Sequence, residues 1–127
     1  MATLNISDLS VGDLVRWEVY DKTYDMQVSA VTDRRIYGMH DGIEYTMLLT
    51  QIRPIPITAE MLEKNGIHRT YEDDKYTIFR GDGLWAVKYS DGDWELSTPP
   101  VCRVDIKYVH QLQHALRLAG VDKEINL

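Results

Sequence analysis

The chain is poor in cysteine, phenylalanine, proline and basic residues. Its 127 residues include one cysteine, one phenylalanine and four prolines. A single cysteine excludes an internal disulfide framework and a zinc site built from several cysteines. Lysine and arginine number 14 against 20 aspartate and glutamate residues, which gives a formal net charge of −6. This acidic surplus disfavours general binding to a nucleic-acid backbone, so we expect no duplex nucleic acid among its partners.

Long apolar runs and targeting signals are also missing. No apolar segment approaches the ~20 residues that a membrane-spanning helix needs. Residues 1–8 lack the basic region and the apolar region of a secretory signal. We therefore expect a cytoplasmic protein with no membrane partner. Its lone cysteine, Cys102, precedes Arg103 and is expected to be a buried, unreactive thiol, because free cysteines are usually buried.

Tyrosine and tryptophan are plentiful by contrast. The chain has eight tyrosines and three tryptophans. Both side chains join an apolar body to a polar tip, which suits half-buried surfaces and binding sites.

Short strands are predicted throughout the first half, because apolar and polar residues alternate there. An Asp-Gly pair at residues 41 and 42 predicts a hairpin turn. Pro54 and Pro56 then end regular pairing, since neither can donate to a strand ladder. The expected structure is a small SH3-like antiparallel β-barrel or curled sheet. The predicted strands span residues 14–20, 24–30, 35–39, 43–48 and 51–54.

The second half predicts two helices and a meander. Thr58 is a suitable N-cap and Gly66 a stop for a short bridging helix. Two further Asp-Gly turns separate three predicted strands at residues 75–80, 84–89 and 93–97. Asp105 is then expected to cap an amphipathic helix over residues 106–119, and the tail that follows is expected to pair as an edge strand or fray. The fold class is therefore α+β, with residues 1–57 as the SH3-like lobe, 58–66 as the bridging helix and 67–127 as meander plus C-terminal helix, all in one compact unit.

Two histidines on the predicted C-terminal helix suggest a possible metal site. His110 and His114 are four residues apart, so they share a helix face and can jointly hold a metal. The intervening Gln111 stands where a zinc protease needs a general-base glutamate. We therefore favour a solvated helix face carrying His110, His114 and Arg117, and keep a metal-dependent hydrolase as an alternative.

Arginine beside aromatic residues is the other candidate chemistry. Guanidinium groups bind anions and stack on aromatic rings. Alternation also places Trp85 and Tyr89 on one strand face, which is more typical of a core than of a binding site. No complete catalytic motif is present, so we expect neither enzyme activity nor a cofactor. The candidate ligand-binding residues are Arg34, Arg35 and Tyr37 in the first half and Arg80, Trp85, Trp94, His110 and Arg117 in the second.

Three separated segments resemble one group of proteins. They read Leu-Ser-Val-Gly-Asp-Leu-Val at 9–15, Ile-Arg-Pro-Ile-Pro-Ile-Thr at 52–58 followed by Glu-Met-Leu-Glu-Lys-Asn-Gly at 60–66, and Tyr-Val-His-Gln-Leu-Gln at 108–113. They are similar to the small, largely uncharacterised proteins of gut Bacteroidetes and their phages. The resemblance implies a protein of the bacterial host cytoplasm and brings no established catalytic residues.

The leading functional hypothesis is a non-catalytic binding protein of phage or mobile-element origin. Its partner would be a host protein or a small anionic ligand, such as a nucleotide signal sequestered in counter-defence. Homo-oligomerisation is expected, because a small lobe rarely encloses a nucleotide alone. A structural or scaffold protein of a phage is the remaining alternative.

Overall fold

The computed structural model describes residues 4–98 and 101–127, with the backbone alone at Thr98, Val101 and Cys102. The expectation for the Cys102 thiol therefore lies outside the described residues. The chain divides into two compact units, Met1–Ile55 and Pro56–Leu127. Each unit is built on a five-stranded antiparallel sheet, and the second also carries two helices. The predicted α+β class is confirmed.

The first unit is a meander whose last strand returns to the first. The strand order is β4-β3-β2-β1-β5, so β4 and β5 are the edges of the sheet in the described part of the unit. Short 3-10 helices at Ile6–Asp8 and Leu49–Gln51 flank the strands. The strands are β1 Leu14–Val19, β2 Lys22–Val31, β3 Ile36–His40, β4 Ile43–Met47 and β5 Ile52–Pro54.

Local sequence explains how this sheet turns and where its core lies. Asp41 and Gly42 have φ values of 51° and 77°, the left-handed pair that a two-residue hairpin turn requires. One face of the sheet is buried because apolar residues occupy alternate positions of paired strands. That core contains Leu4, Leu9, Val15, Met26, Val28, Ile36, Met47 and Ile52.

The second unit joins its sheet to two short helices. The strand order is β10-β9-β8-β7-β6. Helix α1 spans Ala59–Lys64 and begins at Thr58, whose hydroxyl accepts the Met61 N–H at 3.2 Å. Helix α2 spans Val109–Leu118. The described part of the chain holds no helix with the length and apolar character needed to cross a membrane. The strands are β6 His68–Glu72, β7 Tyr76–Gly81, β8 Leu84–Tyr89, β9 Trp94–Thr98 and β10 Val101–Ile106.

The predicted meander is confirmed as β7, β8 and β9, but the sequence predicted neither flanking strand. The predicted start of the last helix is also wrong. Asp105 and Ile106 belong to β10, where they pair with Glu95 and Trp94. Helix α2 begins three residues later than expected, because this ladder holds the chain extended as far as Ile106.

The C-terminal tail is neither a strand nor frayed. Ile125 is buried, and the next residue pairs with a buried amide at the end of α1. The Asn65 side chain accepts the Asn126 N–H and donates to the Asn126 carbonyl, each at 2.7 Å. A side-chain amide thus replaces the backbone partner that the tail was expected to find in a sheet.

Candidate functional site

The two faces of the second sheet differ in exposure. One face carries buried residues, among them Phe79, Leu84, Ala86 and Leu96. The opposite face carries residues that pair across β6, β7 and β8 and remain at least partly exposed. We call this opposite surface the aromatic face; it consists of Tyr71, Tyr76, Ile78, Arg80, Trp85, Val87 and Tyr89.

The aromatic face corrects an expectation from the sequence. Alternation correctly put Trp85 and Tyr89 on one face of β8, but that face was expected to be core. Trp85 is 46% exposed and Tyr89 36% exposed. The core face of β8 is instead formed by the smaller residues Leu84 and Ala86, because these pair with Gly81 and Phe79 on β7.

Arg80 and Trp85 form the best-defined contact on this face. They are directly paired across β7 and β8, and the guanidinium carbon lies 3.6 Å from the centroid of the indole ring. A guanidinium stacked on an exposed indole gains about 0.5–1 kcal/mol. Both residues are exposed, so the stacked pair presents an apolar and cationic surface to solvent.

Three tyrosines continue the face away from this stack. The Tyr71 and Tyr76 rings are 5.6 Å apart, and those of Tyr76 and Tyr89 are 6.5 Å apart. Ile78 and Val87 pair between these rings and the Arg80–Trp85 stack. The side chains therefore form one continuous strip across three strands.

Asp73 holds Tyr71, at one end of the strip, through a hydrogen bond. Its carboxylate accepts the Tyr71 hydroxyl at 2.8 Å and the backbone N–H groups of Lys75 and Tyr76 at 2.8 and 2.9 Å. The two backbone hydrogen bonds lower the pKa of Asp73, because they stabilise its charged form. The hydrogen bond to Asp73 and its negative charge raise the pKa of Tyr71. Tyr71 therefore remains a neutral hydrogen-bond donor over the physiological pH range.

The predicted cluster of Arg80, Trp85 and Trp94 is divided between the two faces. Trp94 is only 5% exposed and its ring lies 5.6 Å from that of Phe79. Lys88 covers it, with the ammonium 5.8 Å from the indole centroid. Trp94 is thus part of the core of the unit, whereas Arg80 and Trp85 remain together in solvent.

Arg34, Arg35 and Tyr37 lie in the first unit, at the β2–β3 connection. Thr32 organises this turn: its N–H donates to the Arg35 carbonyl at 2.9 Å and its hydroxyl accepts the Arg35 N–H at 3.0 Å. Both arginines are exposed, and Tyr37 is half-buried on β3, paired with Ala30. The structure therefore brings these residues to one turn, in a different unit from the Arg80–Trp85 stack.

The two histidines of α2 differ in exposure: His110 is buried and His114 is half-buried beside it. His110 is 4% exposed, with its ring 6.0 Å from Tyr108 and 5.7 Å from His114. The expectation of a solvated position is therefore wrong for His110, because it lies on the buried side of the helix with Val109. Arg117 is exposed at the end of α2. Among the described residues, no three His, Cys, Asp or Glu side chains lie close enough together to hold a metal ion.

A cleft lies where the sheet meets the start of α2. It has a volume of about 420 Å³ and is lined by residues of β8, β9, β10 and α2, including Tyr89 and Gln111. Gln111 is held in place because its side-chain oxygen accepts the N–H groups of Lys107 and Tyr108, at 2.8 and 3.1 Å. Gln111, which stands where a zinc protease needs a glutamate, therefore caps the N-terminus of α2.

The sequence did not point to the part of the aromatic face formed by Tyr71, Tyr76 and Ile78. These three residues carried no motif, and their exposure follows from which side of the sheet is covered. Alternation with a period of two placed Trp85 and Tyr89 on one side of β8, but it could not say which side of the strand faces solvent. Comparison with protein-family models, with curated protein sequences and with solved structures gave no match to the chain.

Proposed function

We propose that the chain is a non-catalytic binding protein of phage or mobile-element origin, and that its second unit binds a partner protein on the aromatic face. The observation that carries this proposal is the Arg80 guanidinium stacked 3.6 Å above the half-exposed ring of Trp85. Tryptophan, tyrosine and arginine dominate the binding energy of protein interfaces. All three occur here on one side of one sheet.

The shape and stiffness of the face favour a protein partner. Large exposed apolar patches on a folded protein often mark interaction sites. The side chains stand on three neighbouring hydrogen-bonded strands, with one register shift between Arg69 and Tyr71, so little backbone freedom is lost on binding. In its narrower form, the proposal places the protein in the bacterial cytoplasm as a counter-defence factor with a host protein as partner; the support is the resemblance to phage proteins.

A nucleotide ligand is the second candidate, and the same stack favours it, since a guanidinium can contact phosphate while an indole stacks on a base. The charges beyond the stack oppose it. Glu95 and Asp105 face each other on β9 and β10, and Glu95 also holds the nearby Arg103 at 3.5 Å. Two carboxylates beside the strip disfavour a polyphosphate, so a protein partner fits the face better.

The strand topology of the first unit supports a separate proposal about its fold. Its strands run as a meander in which β5 returns to pair with β1. We propose that this curled arrangement is the SH3-like lobe expected from the sequence. This part of the proposal is independent of the aromatic face.

Site-specific photo-crosslinking tests the protein-binding proposal. A benzoylphenylalanine residue at position 85, expressed in a bacterial host cell, should give a discrete protein adduct. Leu118 supplies the matched control, because it is a large apolar residue of the same unit with 77% exposure. The purified partner should then bind Trp85→Ala about thirtyfold more weakly than wild type, which corresponds to about 2 kcal/mol, while Leu118→Ala binds normally.

Other outcomes of the same experiment separate the alternatives. An adduct between two copies of this chain would make the face a homo-oligomer interface. Equal crosslinking at positions 85 and 118, or an unchanged affinity in Trp85→Ala, would contradict the proposal. The nucleotide candidate is tested by thermal shift with cyclic oligonucleotides, since a ligand at about a hundred times its Kd stabilises the fold by ~2.7 kcal/mol.

A further inference from the structure

A small cavity on the buried side of the first unit's sheet suggests a second site. Its volume is about 220 Å³, and it is lined by Trp17, Val19, Tyr24, Met26, His40 and Tyr45. Pockets for drug-sized molecules begin at about 300 Å³. This cavity therefore suits a single chemical group or a very small molecule.

Aromatic rings from four strands make its wall. Trp17 on β1 lies between Tyr24 and Tyr45, with ring centroids 5.9 and 5.5 Å away and planes tilted by 43° and 45°. His40 on β3 meets the Tyr24 ring edge-on at 5.4 Å. The rings are inclined to one another rather than stacked flat, so they form a concave wall. Strand pairing explains the arrangement, because Trp17 and Tyr24 are direct partners across β1 and β2.

Hydrogen bonds outside the cavity hold the rings in place. The Trp17 indole N–H donates to Gln51 Oε1 at 3.0 Å, and Gln51 is not a lining residue. His40 Nδ1 donates to the Asp25 carbonyl at 2.9 Å. Met26, which is buried, contributes an apolar, polarisable thioether to the wall. The surface offered to a guest is thus mostly ring and thioether.

The charges near the cavity favour a cation. None of the six lining residues is lysine or arginine. A carboxylate stands close by, since Asp41 Oδ2 lies 3.3 Å from His40 Nε2. The face of an aromatic ring is negative and attracts cations, and an apolar wall favours a cation whose charge is covered by methyl groups.

We propose that this cavity binds a methylated ammonium group. The group can belong to a free small molecule such as choline or to a methylated lysine side chain, because the recognised chemistry is the same. The site is separate from the aromatic face and lies in the other unit. The proposal therefore does not depend on the proposed function.

Titration with choline tests it against choline's neutral carbon isostere, neohexanol. The probe is the Trp17 indole N–H resonance, assigned with Trp17→Phe. Choline should shift this signal saturably at about pH 8, and neohexanol should bind at least about fivefold more weakly. Equal binding of the two compounds, or no saturable shift with choline in the millimolar range, would overturn the proposal.

Two variants of one lining residue keep the test independent of folding. Tyr45→Phe keeps the ring and should retain choline binding. Tyr45→Leu keeps apolar bulk without the ring and should lose about fivefold or more in affinity. Equal affinities in two folded variants would contradict a role for the ring face. Peptides with and without trimethyllysine identify the source: a methylation-dependent affinity above that of choline indicates a protein-borne group, and an affinity no greater indicates a free small molecule.

Discussion

Replacement of Gly81 by alanine should destabilise the second unit more than any other single added methyl group at a glycine. Gly81 ends β7, and a Cβ built on it would lie 2.2 Å from the Gly66 carbonyl oxygen and 2.9 Å from the Ile67 Cα. Both neighbours are backbone atoms, so no side chain can rotate away. The chain must shift by about 1 Å to restore van der Waals contact, and overpacking of this kind costs about 3 kcal/mol.

Two other glycines provide the controls. At Gly83 an added Cβ meets nothing within 4 Å, and the only cost is the φ of +79°, about 1–2 kcal/mol. At Gly38 the Cβ would approach the Met47 methyl group at 2.6 Å, but that group ends a flexible side chain and can move. We therefore expect the order Gly81→Ala, then Gly83→Ala, with Gly38→Ala as the mildest close contact.

Urea denaturation measures the difference. With an m-value of about 2 kcal/mol per molar, Gly81→Ala should lower the midpoint of the second unit by about 1.5 M and leave m unchanged. Gly83→Ala should lower it by less than about 1 M. If Gly81→Ala were as stable as Gly83→Ala, the close approach of β7 to the α1–β6 connection would be refuted.

Two further predictions concern the same unit. Ultraviolet titration should show that Tyr71 ionises above the ordinary tyrosine value of about 10, because the hydrogen bond to Asp73 raises its pKa in the folded chain. This component should be absent in Tyr71→Phe and shifted down in Asp73→Asn, and an unchanged titration in Asp73→Asn would contradict the prediction. Because the folded pKa is raised, the stabilising contribution of Tyr71 is present below about pH 10 and lost as the pH rises through the folded value. Leu112→Ala removes a fully buried side chain of α2 and should cost about 2–5 kcal/mol in urea denaturation. Leu118→Ala on the exposed side of the same helix should lower the free energy of unfolding by less than about 0.5 kcal/mol. Equal losses of stability in the two variants would contradict the assignment of Leu112 to the buried side of α2.

Local patterns explain how much of this fold the sequence predicts. All three predicted Asp-Gly turns, at residues 41–42, 82–83 and 91–92, lie where predicted, and in the first two both residues adopt the left-handed conformation that is disfavoured for most other residue pairs. Strand β6 was missed because all five of its residues are exposed, so it has no apolar alternation. Strand β10 was missed because Asp105 is an equally good helix cap, and its pairing with β9 is a long-range choice that local sequence does not record.

The site was predicted less well than the fold for a related reason. Alternation assigns residues to one of two strand faces but does not say which face is covered. The Trp85 face of β8 is the more apolar one in sequence, yet it is the one in solvent. The cavity around Trp17 depends on register, since Tyr45 reaches it from β4, two strands away from β2. Alternation assigns Trp17 and Tyr24 to a sheet face, but their convergence with Tyr45 is determined only by the strand pairing.

The three tryptophans have one further consequence, which is spectroscopic. Trp94 is buried, Trp85 is half in solvent, and Trp17 lies in the other unit with its N–H hydrogen-bonded. A protein that keeps only Trp94 should therefore emit at shorter wavelength than one that keeps only Trp85, and acrylamide should quench the latter more strongly. A protein that keeps only Trp17 reports on the first unit. Single-tryptophan versions of this chain thus give each unit its own fluorescence signal, so the unfolding of one can be followed apart from that of the other.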